Sequence, residues 1–177
     1  MEKSIKSLAI NWGLYLGVLL VLNTVIWYAV KLEMLVNFWL IFLILPIAII
    51  VFGIISVSKS KTLLNGFINF KEAFTSYFIT VAVGIIVSTI VSVIIFNFID
   101  PDAAIKLKEM AIEKTITMME GFGAPPEQIA QQVDAIEAQN TQSFGSQILQ
   151  LGQSLLFFTI IGLIVAAIMK KNNPDAE

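Results

Sequence analysis

An uncharged stretch of 23 residues, Tyr77 to Ile99, constrains this chain more than any other feature. Thirteen of the seventeen residues from Ile79 to Ile95 are Val, Ile or Thr, the types favoured in water-soluble strands. Length and pattern decide against a strand. As a helix the stretch reaches about 35 Å, enough to cross a hydrocarbon core of about 30 Å, and strict apolar/polar alternation is absent. In lipid the backbone must satisfy its own hydrogen bonds, which selects the helix. Fifteen Val, Ile or Phe side chains, each contributing about −0.3 to −0.6 kcal/mol, outweigh Asn97 and the hydroxyls of Thr80, Ser88, Thr89 and Ser92.

Three further apolar runs follow the same logic: Leu8 to Val30, Asn37 to Val57 and Ile148 to Met169. The expected fold is all-α, a polytopic membrane protein with four transmembrane helices at about 8–30, 37–57, 75–99 and 147–169. These form a single membrane domain over 1–177, with segment 100–146 as an extracytoplasmic helical hairpin between spans three and four. A content of 57% hydrophobic and 14% charged residues agrees with such a class. Cysteine and histidine are absent, which removes thiolate and imidazole chemistry, and all eleven basic residues are lysine, so the bidentate fork of arginine is missing too. With a net charge of −2, the chain is not expected to bind nucleic acid.

The first apolar run is longer than the core of a signal peptide, lacks a small-x-small cleavage site, and ends in Trp27 and Tyr28 as an interfacial belt. Gly13 and Gly17 form a GxxxG pattern, read as ordinary packing within the bundle. Lys31 and Glu33 mark the turn into the second span, where Pro46 is expected to leave a tolerated bend. Ser58 to Lys71 is expected to be a loop. Its lysines 59, 61 and 71, together with Lys3, Lys6, Lys170 and Lys171, place seven positive charges on one face, which the positive-inside rule makes cytoplasmic. Both termini are then cytoplasmic, and segment 100–146, with three lysines and eight acidic residues, faces outward.

In that segment Asp100 is expected to cap a helix begun by Pro101, with Ile105, Ile112, Ile116 and Met119 on one face and Gly121 at its end. A second helix opened by Pro126 and Glu127 carries Ile129, Val133 and Ile136. These stripes pair with each other or dock on a partner. Asn140 to Ser146, with Gly145, is the joint to the fourth span, whose Gln147, Gln150 and Gln153 are read as interfacial hydrogen-bonding groups rather than a polar vestibule.

No span contains an Asp, Glu, Lys, Arg or His between its interfacial ends, which argues against proton-coupled transport and against catalysis within the membrane. No catalytic residue, cofactor or metal is expected. Among polar groups, Asn11, Asn23 and Asn97 stand out, with the stripe Ser76, Thr80, Gly84, Ser88 and Ser92 at four-residue spacing. Such a stripe permits close helix contact; the lining of a narrow polar path is the alternative. Asp100, Asp102, Glu109 and Glu113 are read as capping and solvated groups rather than a cation site.

The stretch NGFINFKEAF before span three, WGLYLG in span one, DP after span three, the helical outer segment and the lysine-ended fourth span resemble the domain of unknown function 4199 family. The residues that carry the resemblance best are Gly66, Phe70, Lys71, Glu72 and Phe74. The resemblance implies a bacterial inner-membrane protein of four spans, mostly from Bacteroidota, with no assigned activity. It also implies a neighbourhood of membrane glycosyltransferases, and hence such an enzyme as a partner. The expected function is a non-enzymatic accessory or scaffold protein binding a membrane or envelope partner. A small transporter or channel assembled as a homo-oligomer is the alternative.

Overall fold

The computed structural model describes residues 2–138 and 144–172. Six α-helices carry it: α1 (Glu2–Val30), α2 (Leu45–Leu63), α3 (Phe70–Val93), α4 (Pro101–Gly121), α5 (Pro126–Ala138) and α6 (Phe144–Met169). No strand forms among the described residues. Four segments, Lys3–Val30, Leu40–Leu63, Phe70–Ile99 and Gly145–Met169, are helical, long enough and apolar enough to cross a membrane. They make a polytopic all-α bundle.

The helix α3 is its axis, packing on α1, α2 and α6, most extensively on α1. Small residues let the backbones approach. A Cβ on Gly13 would lie 2.9 Å from the carbonyl oxygen of Thr80, and one on Gly17 would lie 2.9 Å from Val87 Cβ. The GxxxG pattern thus serves contact within this chain.

Two boundaries differ from expectation. The second span does not end at Val57 but continues to Leu63, and α3 starts at Phe70, so the loop read as Ser58 to Lys71 shrinks to a few residues around Asn65. The continuation has a physical cause: helical spacing puts the Ser56 and Ser60 hydroxyls on one face, where both reach Ser76 of α3. Pro46 was expected near mid-span with a bend. It stands instead at the first turn of α2, after a π-helical turn over Leu40–Ile44 that takes up the irregularity proline imposes.

The lysine-bearing ends of the helices are locked together by the stretch Asn65 to Phe74. Asn65 (φ 58°) and Gly66 (φ 89°) are left-handed and stop α2, with Gly66 N–H donating to the carbonyl of Lys61 at 2.9 Å. Asn69 and Glu72 then form a reciprocal capping box: Asn69 Oδ1 accepts from Glu72 N–H (2.9 Å) and Glu72 Oε2 accepts from Asn69 N–H (3.0 Å). Between turn and cap, Ile68 is buried and pairs through both backbone groups with Lys171 at the end of α6 (2.9 and 2.8 Å). Lys61 Nζ donates to the carbonyl of Met169 (3.1 Å), and Lys171 Nζ lies 5.3 Å from the centroid of the Phe67 ring. Three helix ends therefore meet here.

At the opposite end Asp100 joins the insert to the bundle. Its Oδ1 accepts from Ala103 N–H (3.0 Å), capping α4, while Oδ2 accepts from the Tyr28 hydroxyl (2.9 Å) at the end of α1. From there α4 lies on the 3₁₀ turn Leu32–Val36 and on the π-helical end of the third span, Ile94–Ile99.

Candidate functional site

The polar stripe of α3 divides into two halves with different fates. Ser76, Thr80 and Gly84 are buried in helix contacts, whereas Ser88 and Ser92 line a cavity.

In the first half, Ser76 Oγ shares hydrogen bonds with Ser56 Oγ (2.9 Å) and Ser60 Oγ (2.8 Å). The Thr80 hydroxyl reaches Ser56 Oγ (2.7 Å) and the carbonyl oxygens of Ala9 (3.0 Å) and Ser76 (2.9 Å). All four hydroxyl residues are fully buried. Hydroxyls at this depth need protein partners, and mutual satisfaction across three helices supplies them. Beside them Tyr77, also fully buried, sets its ring between Gly53 of α2 and Gly162 of α6.

In the second half α3 and α6 part. On α6, Phe158, Val165 and Ala166 are buried, but none of the described side chains from Gly145 to Phe157 is. The resulting wedge is a cavity of about 630 Å³, roofed by Ala104, Leu107 and Lys108 of α4 and Ile136 of α5. Asn97 and Gln147 bridge it at the insert end, with Gln147 Nε2 donating to Asn97 Oδ1 at 2.9 Å. Gln150 and Ser154 line its α6 wall. Gln147 thus makes the kind of hydrogen bond expected of the glutamines, and it and Gln150 also border the cavity; Gln153 does not line it and is exposed. A three-residue spacing on a 3.6-residue helix cannot keep all three on one face. Of the other asparagines, Asn23 accepts from Trp27 Nε1 (3.1 Å), and Asn11 is exposed on α1.

The insert pairs α4 with α5, and Lys108 Nζ donates to the carbonyl of Glu137 (2.7 Å). Ile116, Ile129 and Val133 come together in the groove between them, and Ile112 is half-buried. Ile105 does not join this stripe: it is 51% exposed, because the buried Ala103 and the cavity-lining Leu107 and Ala111 set the inward face of α4. Small alanines allow the close approach to the bundle that an isoleucine would block. Phe122, at the tip, is 84% exposed and is followed by a left-handed Gly123. Most of the joint read at Asn140 to Ser146 lies outside the described residues.

Of the five residues carrying the family resemblance, Gly66 forms the turn, Glu72 closes the capping box, and Phe70 and Phe74 stack at a centroid distance of 6.5 Å. Lys71 borders a small surface pocket with Ile5. The capping box is legible in the sequence as Asn-x-x-Glu at Asn69 and Glu72, within a stretch whose lysines and glycine otherwise suggest a loop. A family model described as "Protein of unknown function (DUF4199)" matches residues 11–171. No curated protein and no solved structure matches the chain.

Proposed function

Because the chain belongs to the DUF4199 family of proteins of unknown function, whose description supplies no activity, we propose from its geometry that it is a non-enzymatic accessory protein of the bacterial inner membrane, holding a membrane or envelope partner through its insert. One observation carries this reading. Among the described elements α5 packs on α4 alone, so its outer face and the Phe122 tip stand clear of the bundle. Exposed aromatic anchors are the residues that protein interfaces favour. The spans, meanwhile, supply an anchor with no Asp, Glu, Lys, Arg or His between their interfacial ends. A membrane-bound glycosyltransferase is a partner class suggested by family resemblance only. With a photo-crosslinking amino acid at Phe122, irradiation of producing cells is expected to yield one discrete adduct to another protein. Adducts to lipid alone would remove the docking role.

The alternative, a small oligomeric transporter or channel, draws on Ser88 and Ser92 at the cavity wall. It has less support, since the same stripe continues into hydroxyls closed on one another at Thr80 and Ser76.

The accompanying orientation places the seven lysines and both termini in the cytoplasm and the insert outside. With no native cysteine to interfere, Thr117→Cys on exposed α4 is expected to react with an impermeant thiol reagent in intact cells, and Thr62→Cys only after permeabilisation. The reverse pattern would invert the protein.

A further inference from the structure

We propose that the wedge between α3 and α6 binds a lipid with an uncharged, hydroxyl-rich head, a polyol carried on acyl chains. The observation behind it is a set of idle hydroxyls. Elsewhere within the spans Thr24 and Thr159 donate to the carbonyl four residues back (3.2 and 2.6 Å), and Ser56, Ser60, Ser76 and Thr80 bond to one another. Ser88, Thr89 and Ser92 of α3 and Ser154 of α6 make no side-chain hydrogen bond among the described residues, nor does the Gln150 amide beside them. All five line the cavity. Counted from Ile99, at the insert end of its span, Ser92 lies about 10 Å and Ser88 about 16 Å along the helix. Polar groups left idle at that depth cost free energy, and whatever fills the wedge must supply their partners.

Three features choose the occupant. The wedge is roofed by α4 and α5, while the insert-end half of α6 buries none of its described side chains, so the open side faces hydrocarbon and the ligand enters from the bilayer. Its walls carry Ile85, Val93 and Leu151 among the hydroxyls, which suits a molecule that is itself part hydrocarbon, and about 630 Å³ lies in the range of ligand sites. The head is uncharged because an ion this deep needs a counter-charge: Lys108, the one charged side chain among the lining residues, is at the roof, joining α4 to the Glu137 carbonyl of α5 (2.7 Å). It is a polyol because four hydroxyls and an amide offer more donors and acceptors than a single alcohol can meet. The inference does not depend on the docking role of the insert.

The test is native mass spectrometry of the full chain in a polyoxyethylene detergent, which carries no sugar, with glucosyl-diacylglycerol and diacylglycerol of the same acyl chains offered at equal mole fraction. The two differ only in the polyol. Wild type is expected to retain one glucosyl-diacylglycerol, preferred about tenfold over diacylglycerol, the size of one or two net hydrogen bonds. Ser88→Ala with Ser92→Ala should level that preference, and Ser154→Ala alone, on the facing helix, should lower it about threefold. Alanine is smaller than serine and favours a helix, so these variants keep the spans intact. Equal retention of both lipids would mean a merely apolar slot, and retention of neither would mean a wedge filled by water; either result overturns the assignment. So does a preference that survives the double alanine variant, or free glucose retained as well as the glycolipid, which would make the source a soluble sugar. Loss of lipid selectivity and loss of the Phe122 protein adduct are separate readouts, so either idea can fail without the other.

Discussion

Gly53→Ala and Gly162→Ala are each expected to lower stability in detergent by about 1–3 kcal/mol, as overpacking of a filled interior does. A methyl on Gly162 would stand 2.6 Å from Tyr77 Cδ1, and one on Gly53 would meet the opposite edge of the same ring at 2.5 Å from Cδ2. The ring cannot retreat, because it is 0% exposed and bounded on both sides. Since both glycines act through one side chain, the effects should not add. In a Tyr77→Ala background each substitution should recover roughly 1 kcal/mol or more of its cost, the coupling typical of residues in contact. Tyr77→Phe is the counterpart. The buried hydroxyl has no hydrogen-bond partner among the described residues, so its removal is expected to be neutral or stabilising. Full additivity in the cycle would mean that the ring is not the wedge between α2 and α6.

Gly84→Leu should be still more damaging, costing about 3 kcal/mol or more. Here α3 meets α1, the most extensive contact in the bundle, and a Cβ at Gly84 would lie 2.6 Å from both Cγ and Cδ2 of the fully buried Leu16. Two residues along, Ile86 is exposed on the lipid-facing side, so Ile86→Leu should change stability by less than ~1 kcal/mol. Thermal unfolding of the two variants in one detergent checks the pair. Equal midpoints would move the helix contact elsewhere.

These two predictions mark how far the sequence could be read. The four spans were legible because each is an apolar run too long for any soluble element, and the close approach of α3 because Ser76, Thr80 and Gly84 recur at helical spacing. Tyr77 left no such trace. Its significance comes from Gly53 and Gly162, on two other helices, and no local pattern connects the three. The cavity was hidden for a related reason. Ser88 and Ser92 continue the stripe without a break, and only the divergence of α6 above Phe158 turns the same residue type from packing surface into wall. On α4 hydrophobicity alone singles out Ile105, whereas the bundle end selects small residues such as Ala103 for its inward face.

The cluster of hydroxyls has a consequence for how the protein is made. Ala9, Ser56, Ser60, Ser76 and Thr80 all belong to α1, α2 and α3, so every partner in that network has been synthesised before α6 exists. At ~5–20 residues per second a ribosome needs roughly 2 to 9 s to pass from Ile99 to Phe144. Throughout that interval three helices can sit in the bilayer with their polar groups already satisfied. When α6 arrives it meets a finished surface, closing over Tyr77 with Gly162 and latching to Ile68 and Lys61 through its last residues. The delay imposed by translating the insert thus becomes time in which the first three spans can find one another before the fourth competes for the same face.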